Sequence, residues 1–232
     1  MTDDLHDDLP NGGAMRVADL PRTLPIFPLQ GVLLLPRARL PLHVFEPRYT
    51  NMMGDAFAGD RIVGMIQPRR AEQQQPDDHP DVYETGCAGR ITSFSETDDG
   101  RIFVTLTGLC RFAVVRELPL LRGYRRVVAD YDRFAADLDA DAPTRIDRPR
   151  LMTALTGYLH VQGISADWDS INETSDERLV TALSMLCPFQ PSEKQALLEC
   201  PTLEERGRVM TALIEMALVG HASAPPGPSA RH

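Results

Sequence analysis

The apolar residues of this chain change their spacing once, near residue 140, and that change constrains the fold more than any other feature. Upstream they come in short runs and alternations. Ile102, Val104 and Leu106 share one parity, and Phe103, Thr105 and Thr107 the other. A period of two is strand geometry, because successive side chains leave a pleated backbone on opposite faces. Downstream the spacing becomes three and four. Leu151, Leu155, Tyr158 and Leu159 form one set, Leu179, Val180, Leu183 and Leu186 a second, and Met210, Leu213, Ile214, Ala217 and Leu218 a third. Each set falls on one side of a helix. The chain therefore reads as an α+β protein: a twisted β-rich module with one inserted helix, then a C-terminal helical bundle.

Turn and cap residues sharpen this outline. Leu24 to Leu35 is broken by Pro25, Pro28 and Gly31, which suits short kinked strands rather than a helix. Leu40 to Phe45 and Arg61 to Gln67 are further strands. Gly86 to Ser95 and Arg101 to Gly108 form a hairpin about Asp98-Asp99-Gly100, because Asp-Gly tolerates the positive φ of a tight turn. Arg111 to Glu117 and Tyr124 to Tyr131 complete the series. The inserted helix runs from Pro47 to about Ala58, with Pro47 at a first-turn position that needs no N–H. In the helical half, Thr174 with Glu177, Ser192 with Gln195, and Thr202 with Glu205 each fit a capping box. Residues 68–82 hold three prolines among polar residues and read as an exposed loop. The expected organisation is a disordered acidic tail over 1–21, a β-rich module over 22–135 and a linker over 136–149. A helical subdomain over 150–220 and a disordered tail over 221–232 follow.

Charge and cysteine usage narrow the function. A net charge of −9 disfavours a dedicated nucleic-acid binder, which needs a basic surface to neutralise phosphates. Of the 24 basic residues only Lys194 is a lysine. The four cysteines (87, 110, 187 and 200) include no C-x-x-C pair and no histidine at zinc-ligand spacing, so they read as buried apolar residues. The acidic N-terminus has no apolar segment of a signal peptide, and no stretch approaches the roughly 18 apolar residues of a membrane span. A cytoplasmic location with no membrane partner is expected.

Catalytic signatures are missing. No Gly-Lys pair exists, so the phosphate-cradling loop that ends in lysine cannot form. No G-x-S-x-G surrounds a serine. Asp77-Asp78-His79-Pro-Asp81 lacks the glycine and glutamate of a calcium loop and reads as an exposed acidic loop. No metal or cofactor is expected, and no catalytic residue is assigned.

Three blocks carry a family resemblance. The first is Leu24-Pro-Ile-Phe-Pro-Leu-Gln-Gly-Val-Leu-Leu-Leu-Pro36 followed by Leu40-Pro-Leu-His-Val-Phe-Glu-Pro-Arg-Tyr49. The second is Tyr83-Glu-Thr-Gly86-Cys-Ala-Gly-Arg-Ile91, then Gly100-Arg-Ile-Phe-Val104, then Gly108-Leu-Cys-Arg111-Phe112. The third is Pro188-Phe-Gln-Pro-Ser-Glu-Lys-Gln-Ala-Leu-Leu-Glu199. Together, in this order over about residues 22–218, they resemble the N-terminal substrate-recognition domain of bacterial Lon proteases in its stand-alone form. The resemblance implies a barrel-like module related to the PUA fold, followed by a helical subdomain, and a polypeptide-binding role without ATPase or protease. In that family the protease uses a Ser–Lys dyad with a desolvated lysine. Lys194, between Glu193 and Gln195 in a first helical turn, is expected to be solvated instead.

Glu46-Pro47-Arg48-Tyr49 is the sharpest motif and supports two readings. In one it is architectural, with Glu46 beside a helix N-terminus and Tyr49 packed on the sheet. In the other, Arg48 and Tyr49 edge a groove for extended peptide beside the Pro36–Leu40 loop. The peptide-binding candidates are Pro36, Leu40, Glu46, Arg48 and Tyr49, and the proline-rich first strand and the 36–40 loop are the expected sheet edges. The expected partners are unfolded or extended polypeptide, with a separate protease or chaperone as a further partner. The alternative is RNA binding through Arg69, Arg70, Arg122, Arg125 and Arg126, since PUA-like folds include RNA binders.

Overall fold

The structure is a computed structural model and describes residues 3–4, 15–69, 80–97, 101–139 and 145–222. Its contacts divide the chain into two units, Met1–Ala142 with Pro188–Glu199, and Pro143–Cys187 with Cys200–His232.

The first unit is built on β1 (Asp3–Asp4), β2 (Thr23–Pro28), β3 (Arg39–Val44), β4 (Ile62–Ile66), β5 (Thr85–Glu96), β6 (Ile102–Leu121) and β7 (Tyr124–Asp130). It adds α1 (Pro47–Phe57) and α5 (Pro191–Glu199). The strand order is β1-β5-β4-β2-β7-β6-β3, with a further pairing of β5 to β6. The pairings therefore run from β5 through β4, β2, β7 and β6 and return to β5. Strand β6 makes that return by dividing its length: Ile102 to Ala113 faces β5, and Ala113 to Leu121 faces β7. The sheet is strongly curled and barrel-like without being a regular closed barrel. Two expected strands, 101–108 and 111–117, are thus one 20-residue strand. The Asp98-Asp99-Gly100 turn and residues 70–79 lie outside the described residues.

The first strand is not an edge, contrary to expectation. β2 pairs β7 through Thr23–Ile26 and β4 through Ile26–Pro28, so each half is laddered on a different side. That stagger accommodates Pro25 and Pro28, because each proline leaves a donor missing where no full pair of ladders competes for it. The strand order ends on the two-residue β1 and on β3, which among the described residues pairs with β6 alone.

Packing explains the Gly108-Leu-Cys-Arg111-Phe112 block. A Cβ at Gly108 would overlap the Leu35 carbonyl, and the two segments are clamped by Arg37 N–H to Gly108 O and Gly108 N–H to Ala38 O, both 2.8 Å. Phe112 is fully buried among Leu24, Ile26, Ala88 and Val127. Its ring fills the space over Gly86, where a Cβ would sit 2.5 Å from it. Burying such an aromatic stabilises by roughly 1.5–3 kcal/mol.

Segment 188–199, expected with the helical half, belongs to the sheet unit. The reason is a set of polar anchors. Lys194 is 7% exposed, and its Nζ donates to Gly31 O at 2.9 Å, so the expected solvated lysine is buried along its stem and capped by a carbonyl. Gln195 Nε2 donates to Thr85 O at 3.1 Å, and Gln67 Nε2 donates to Gln195 Oε1 at 3.3 Å. Gln195 is therefore not the partner of a Ser192 cap. The Gln190 N–H instead donates to the Glu193 carboxylate, and the helix begins at Pro191.

At the N-terminal side, Val17–Asp19 forms a 3-10 turn that seats Leu20 in the core, so the expected tail is docked from that point. The expected linker is also partly ordered: Asp132–Leu138 is a 3-10 helix with Phe134 buried.

The second unit contains α2 (Arg148–Gln162), α3 (Trp168–Glu173), α4 (Asp176–Leu186) and α6 (Leu203–Ala222), the last running past residue 220. α6 packs on α2 and α4. Leu151, Leu155, Tyr158, Leu179, Val180, Met210 and Ile214 are buried, as their helical spacing requires. Leu186 departs from the expected face at 81% exposure, because α4 ends there and Ser184 and Cys187 turn inward instead. The α4 cap is Ser175, whose Oγ accepts from Arg178 N–H, one residue later than the Thr174–Glu177 pair anticipates. The Thr202 cap accepts from Glu205 N–H at 3.1 Å.

Candidate functional site

β3 follows from a run of alternating character, Arg39-Leu-Pro-Leu-His-Val44, laid against Ile102–Thr107 of β6. Leu42 and Val44 turn into the core, while Arg39, Pro41 and His43 face outward. Pleating places them on the same face as Phe103, Thr105 and Thr107 of β6. His43 stacks on Phe103 with centroids 4.4 Å apart and rings 8° from parallel, and its centroid lies 5.6 Å from that of Phe45. Phe45 is 64% exposed and Phe103 45% exposed. An aromatic surface cluster thus stands at one end of this edge strand, and Arg39 stands at the other.

The sequence candidates bracket this strand rather than form one cluster. Pro36 is buried in the loop that enters β3, and Leu40 is half-buried within it. Glu46 and Arg48 follow its far end. Arg48 donates from Nε to Glu46 at 3.0 Å and lies 2.9 Å from the same carboxylate through Nη2. Its guanidinium also sits 4.8 Å over the Tyr49 ring. Tyr49 itself is 7% exposed and stacked on Phe27 at 4.1 Å, so it supports the sheet and offers little surface.

α1 is fixed to the β6–β7 turn by contacts that sequence order did not reveal. Asp55 accepts from Arg122 at 2.6 Å and from the Tyr124 hydroxyl at 2.9 Å, while Asn51 donates to Arg122 O. Burial first and then the Asp55 carboxylate push the Tyr124 phenol up to about 12. Arg122 adopts φ 49° and Gly123 φ 88°, the left-handed conformations that a two-residue hairpin demands.

These contacts also bear on the arginines proposed as a basic patch. Arg69 is bound to Val82 O and Glu84, Arg122 to Asp55, and Arg125 to Glu117 and Pro80 O. Arg126 donates to Pro119 O. Arg70 lies outside the described residues, as do Asp77, Asp78 and His79 of the acidic loop. Among the described residues no group of three His, Cys, Asp or Glu side chains is placed to hold a metal ion, and no helix is long and apolar enough to cross a membrane.

His43, Phe45 and Phe103 were missed as site residues. The available signal was Phe103, a large aromatic at the outward parity of a strand whose Ile102, Val104 and Leu106 already supply the core.

The comparisons with known proteins agree on one family. Residues 23–215 match the model of the ATP-dependent protease La (LON) substrate-binding domain. The chain is 26% identical to Lon protease 2 of Myxococcus xanthus over 205 residues, which is 87% of this chain and 24% of that protein. It is 31% identical to a Lon protease of Anaeromyxobacter dehalogenans over 122 residues, 51% of this chain and 14% of that protein. The chain thus spans about a quarter or less of these relatives. Among solved structures it is similar to a Lon N-terminal domain protein from Xanthomonas campestris, with TM-score 0.57 at 21% identity, covering 83% of this chain and 97% of that one. It is also similar to the N-terminal domain of a Mycobacterium avium complex Lon protease, with TM-score 0.54 at 14% identity, covering 83% of this chain and 98% of that one.

Proposed function

The chain belongs to the LON substrate-binding domain family, and on that premise we propose that it is a non-catalytic module that binds unfolded or extended polypeptide. The observation that carries this reading is the β3 edge with His43, Phe45 and Phe103 exposed beside it. An extended segment can add to a strand edge through its backbone, while apolar surface next to the edge takes alternate side chains. Leu40, Glu46 and Arg48 lie along and beyond the strand as contacts, and Pro36 and Tyr49 act from beneath by holding the loop and α1 in place. A client handed on to a separate protease or chaperone in the bacterial cytoplasm fits this role. The purified chain is expected neither to hydrolyse ATP nor to cleave protein.

The test is fluorescence anisotropy of a labelled, permanently unfolded protein titrated with the full chain. Binding on the order of micromolar is expected, about −8 kcal/mol. Replacing both exposed rings, Phe45→Ser with Phe103→Ser, should weaken it about tenfold or more, as loss of central anchors does. The circular dichroism spectrum and melting temperature should be unchanged. A folded double variant that binds as wild type does would place the site elsewhere.

A further inference from the structure

Charge on the outward face of the β3–β6–β5 segment is one-sided. In a chain of net charge −9, the cross-strand rows that contain Arg39, Pro41 and His43 hold no carboxylate on β3, β6 or β5; the exposed Glu96 pairs with Ile102, on the alternate parity at the end of β5. Arg39 of β3 and Arg90 of β5 flank Thr107 in one cross-strand row. Arg90 lies on the face opposite Ile91, which is 2% exposed, and Gly89, where a Cβ would lie 2.7 Å from Leu34; it is half-buried there, so Arg39 is the more exposed cation of the row. His43 and Phe103 share the row two outward positions away, with Phe45 beyond them.

Resting on the polypeptide-binding reading, we propose that the β3 edge selects extended segments carrying an acidic residue and an aromatic or large apolar residue four positions apart. The argument is one of register. Arg39 and His43 are four residues apart on the same face, about 13 Å along the strand. A segment laid beside β3 repeats that period, so its residues i and i+4 face Arg39 and the His43–Phe45–Phe103 cluster together. A spacing of three or five sends one of the two to the opposite face. Pro41, between the two sites, offers no N–H. Proline occurs in edge strands where that missing donor faces away from the ladder, which weakens continuous pairing along this edge and leaves discrimination to side chains.

The experiment compares two ten-residue peptides of identical Ser/Thr-rich composition, each with one Glu and one Phe, separated by four positions in one and by five in the other. Anisotropy with the full chain should show the spacing-of-four peptide bound about threefold to fivefold more tightly, the upper part of what a favourable cross-strand charge pair contributes. Arg39→Glu, at an exposed position, should abolish that preference and transfer it to a matching peptide with Lys in place of Glu. Equal binding of the two spacings, or a preference that survives Arg39→Glu, overturns the proposal. So does a ten-nucleotide oligouridylate that outcompetes the peptides and loses its hold in Phe103→Ala. If the unfolded protein is bound while the two peptides bind equally, the acidic selectivity fails and the polypeptide reading stands. If no polypeptide binds at all, both fail together.

Discussion

Asp137 holds Arg111 in three ways: its Oδ2 accepts from the Arg111 backbone N–H at 2.9 Å and from Nε at 2.8 Å, and its Oδ1 accepts from Nη2 at 2.8 Å. The two side chains are only 5% and 10% exposed. Nη1 of the guanidinium donates to Leu198 O in α5 at 3.0 Å, and Cζ lies 4.7 Å from the Phe134 ring centroid. One arginine thus ties β6, the 3-10 helix after β7 and α5 together.

A buried pair of this kind is costly to break from one side, because the survivor is left charged and unpaired. Asp137→Ala should cost about 3–5 kcal/mol in urea denaturation followed by far-ultraviolet circular dichroism. The double variant Arg111→Met, Asp137→Leu should lose clearly less than the sum of the two single losses, since it buries no orphan charge. Additive losses would mean that the pair is not a coupled unit.

The docking of α5 predicts where the first unit can be cut. A fragment ending at residue 139 contains every strand but lacks the helix that satisfies Gly31 O, Thr85 O and Arg111. It should melt at a lower temperature and less cooperatively than the first unit does within the full chain. Within the full chain, Lys194→Ala should cost about 1.5–3 kcal/mol, the range for a charge-assisted bond. A fragment with a native melting profile would show that α5 is dispensable.

The edge motif separates into one residue for the surface and one for the fold. Tyr49→Ala removes a buried ring stacked on Phe27 and should cost about 3–5 kcal/mol. Arg48→Ala should change stability by under about 1 kcal/mol, because its ion pair with Glu46 is partly exposed, and should act on polypeptide affinity alone. Denaturation and anisotropy on the two single variants distinguish these outcomes. A severe stability loss in Arg48→Ala would reassign it to the architecture.

What was legible in the sequence follows from which forces act locally. Alternation at Ile102–Thr107 and the 3.6-residue spacing at Leu151–Leu159 are local consequences of burial, and both elements form where expected. Pro47 at the start of α1 is equally local. Apart from local slips at the ends of α4, where Ser175 caps in place of Thr174 and Leu186 is exposed, the departures are long-range. Nothing near Lys194 in sequence announces that Gly31 O waits for it 163 residues away, so a charged residue in a first turn reads as solvated. Pro25 and Pro28 look like edge markers, and only the stagger of two partner strands makes them central. The Gly108–Phe112 block is recognisable by pattern, but its cause lies in the Leu35 carbonyl and the space over Gly86. The aromatic cluster requires the pairing of His43 with Phe103, which no local signal supplies.

Buried acids that ionise late give the first unit a defined alkaline limit. Burial, with Asp137 nearby, pushes the Cys110 thiol from an ordinary 9.0 up to about 12. Burial and the Asp55 bond raise Tyr124 to about 12 from 10.0, and burial raises Tyr131 as well. Below about pH 8 each of these groups is largely protonated whether the chain is folded or not, so none of them makes stability depend on pH. Above that, the unfolded chain releases its protons first while the native state keeps them. Stability then falls with rising pH, by about 1.4 kcal/mol per pH unit for each proton by which the states differ. The loss should begin between pH 8 and 9 with Cys110, steepen towards pH 10 as the tyrosines join, and ease as native Cys110 and Tyr124 ionise near pH 12. Urea midpoints between pH 7 and 11 measure it. Cys110→Ala lowers stability throughout but should remove the onset of the slope below pH 10 and flatten it above, and Tyr124→Phe should remove part of the slope above 10. At pH 8 a thiol reagent should label Cys110 only after urea is added, because the thiolate is scarce and the sulfur is fully buried. Rapid labelling of the native chain at Cys110, or stability that stays level to pH 11, would show that these groups are not held in the protonated state by the fold.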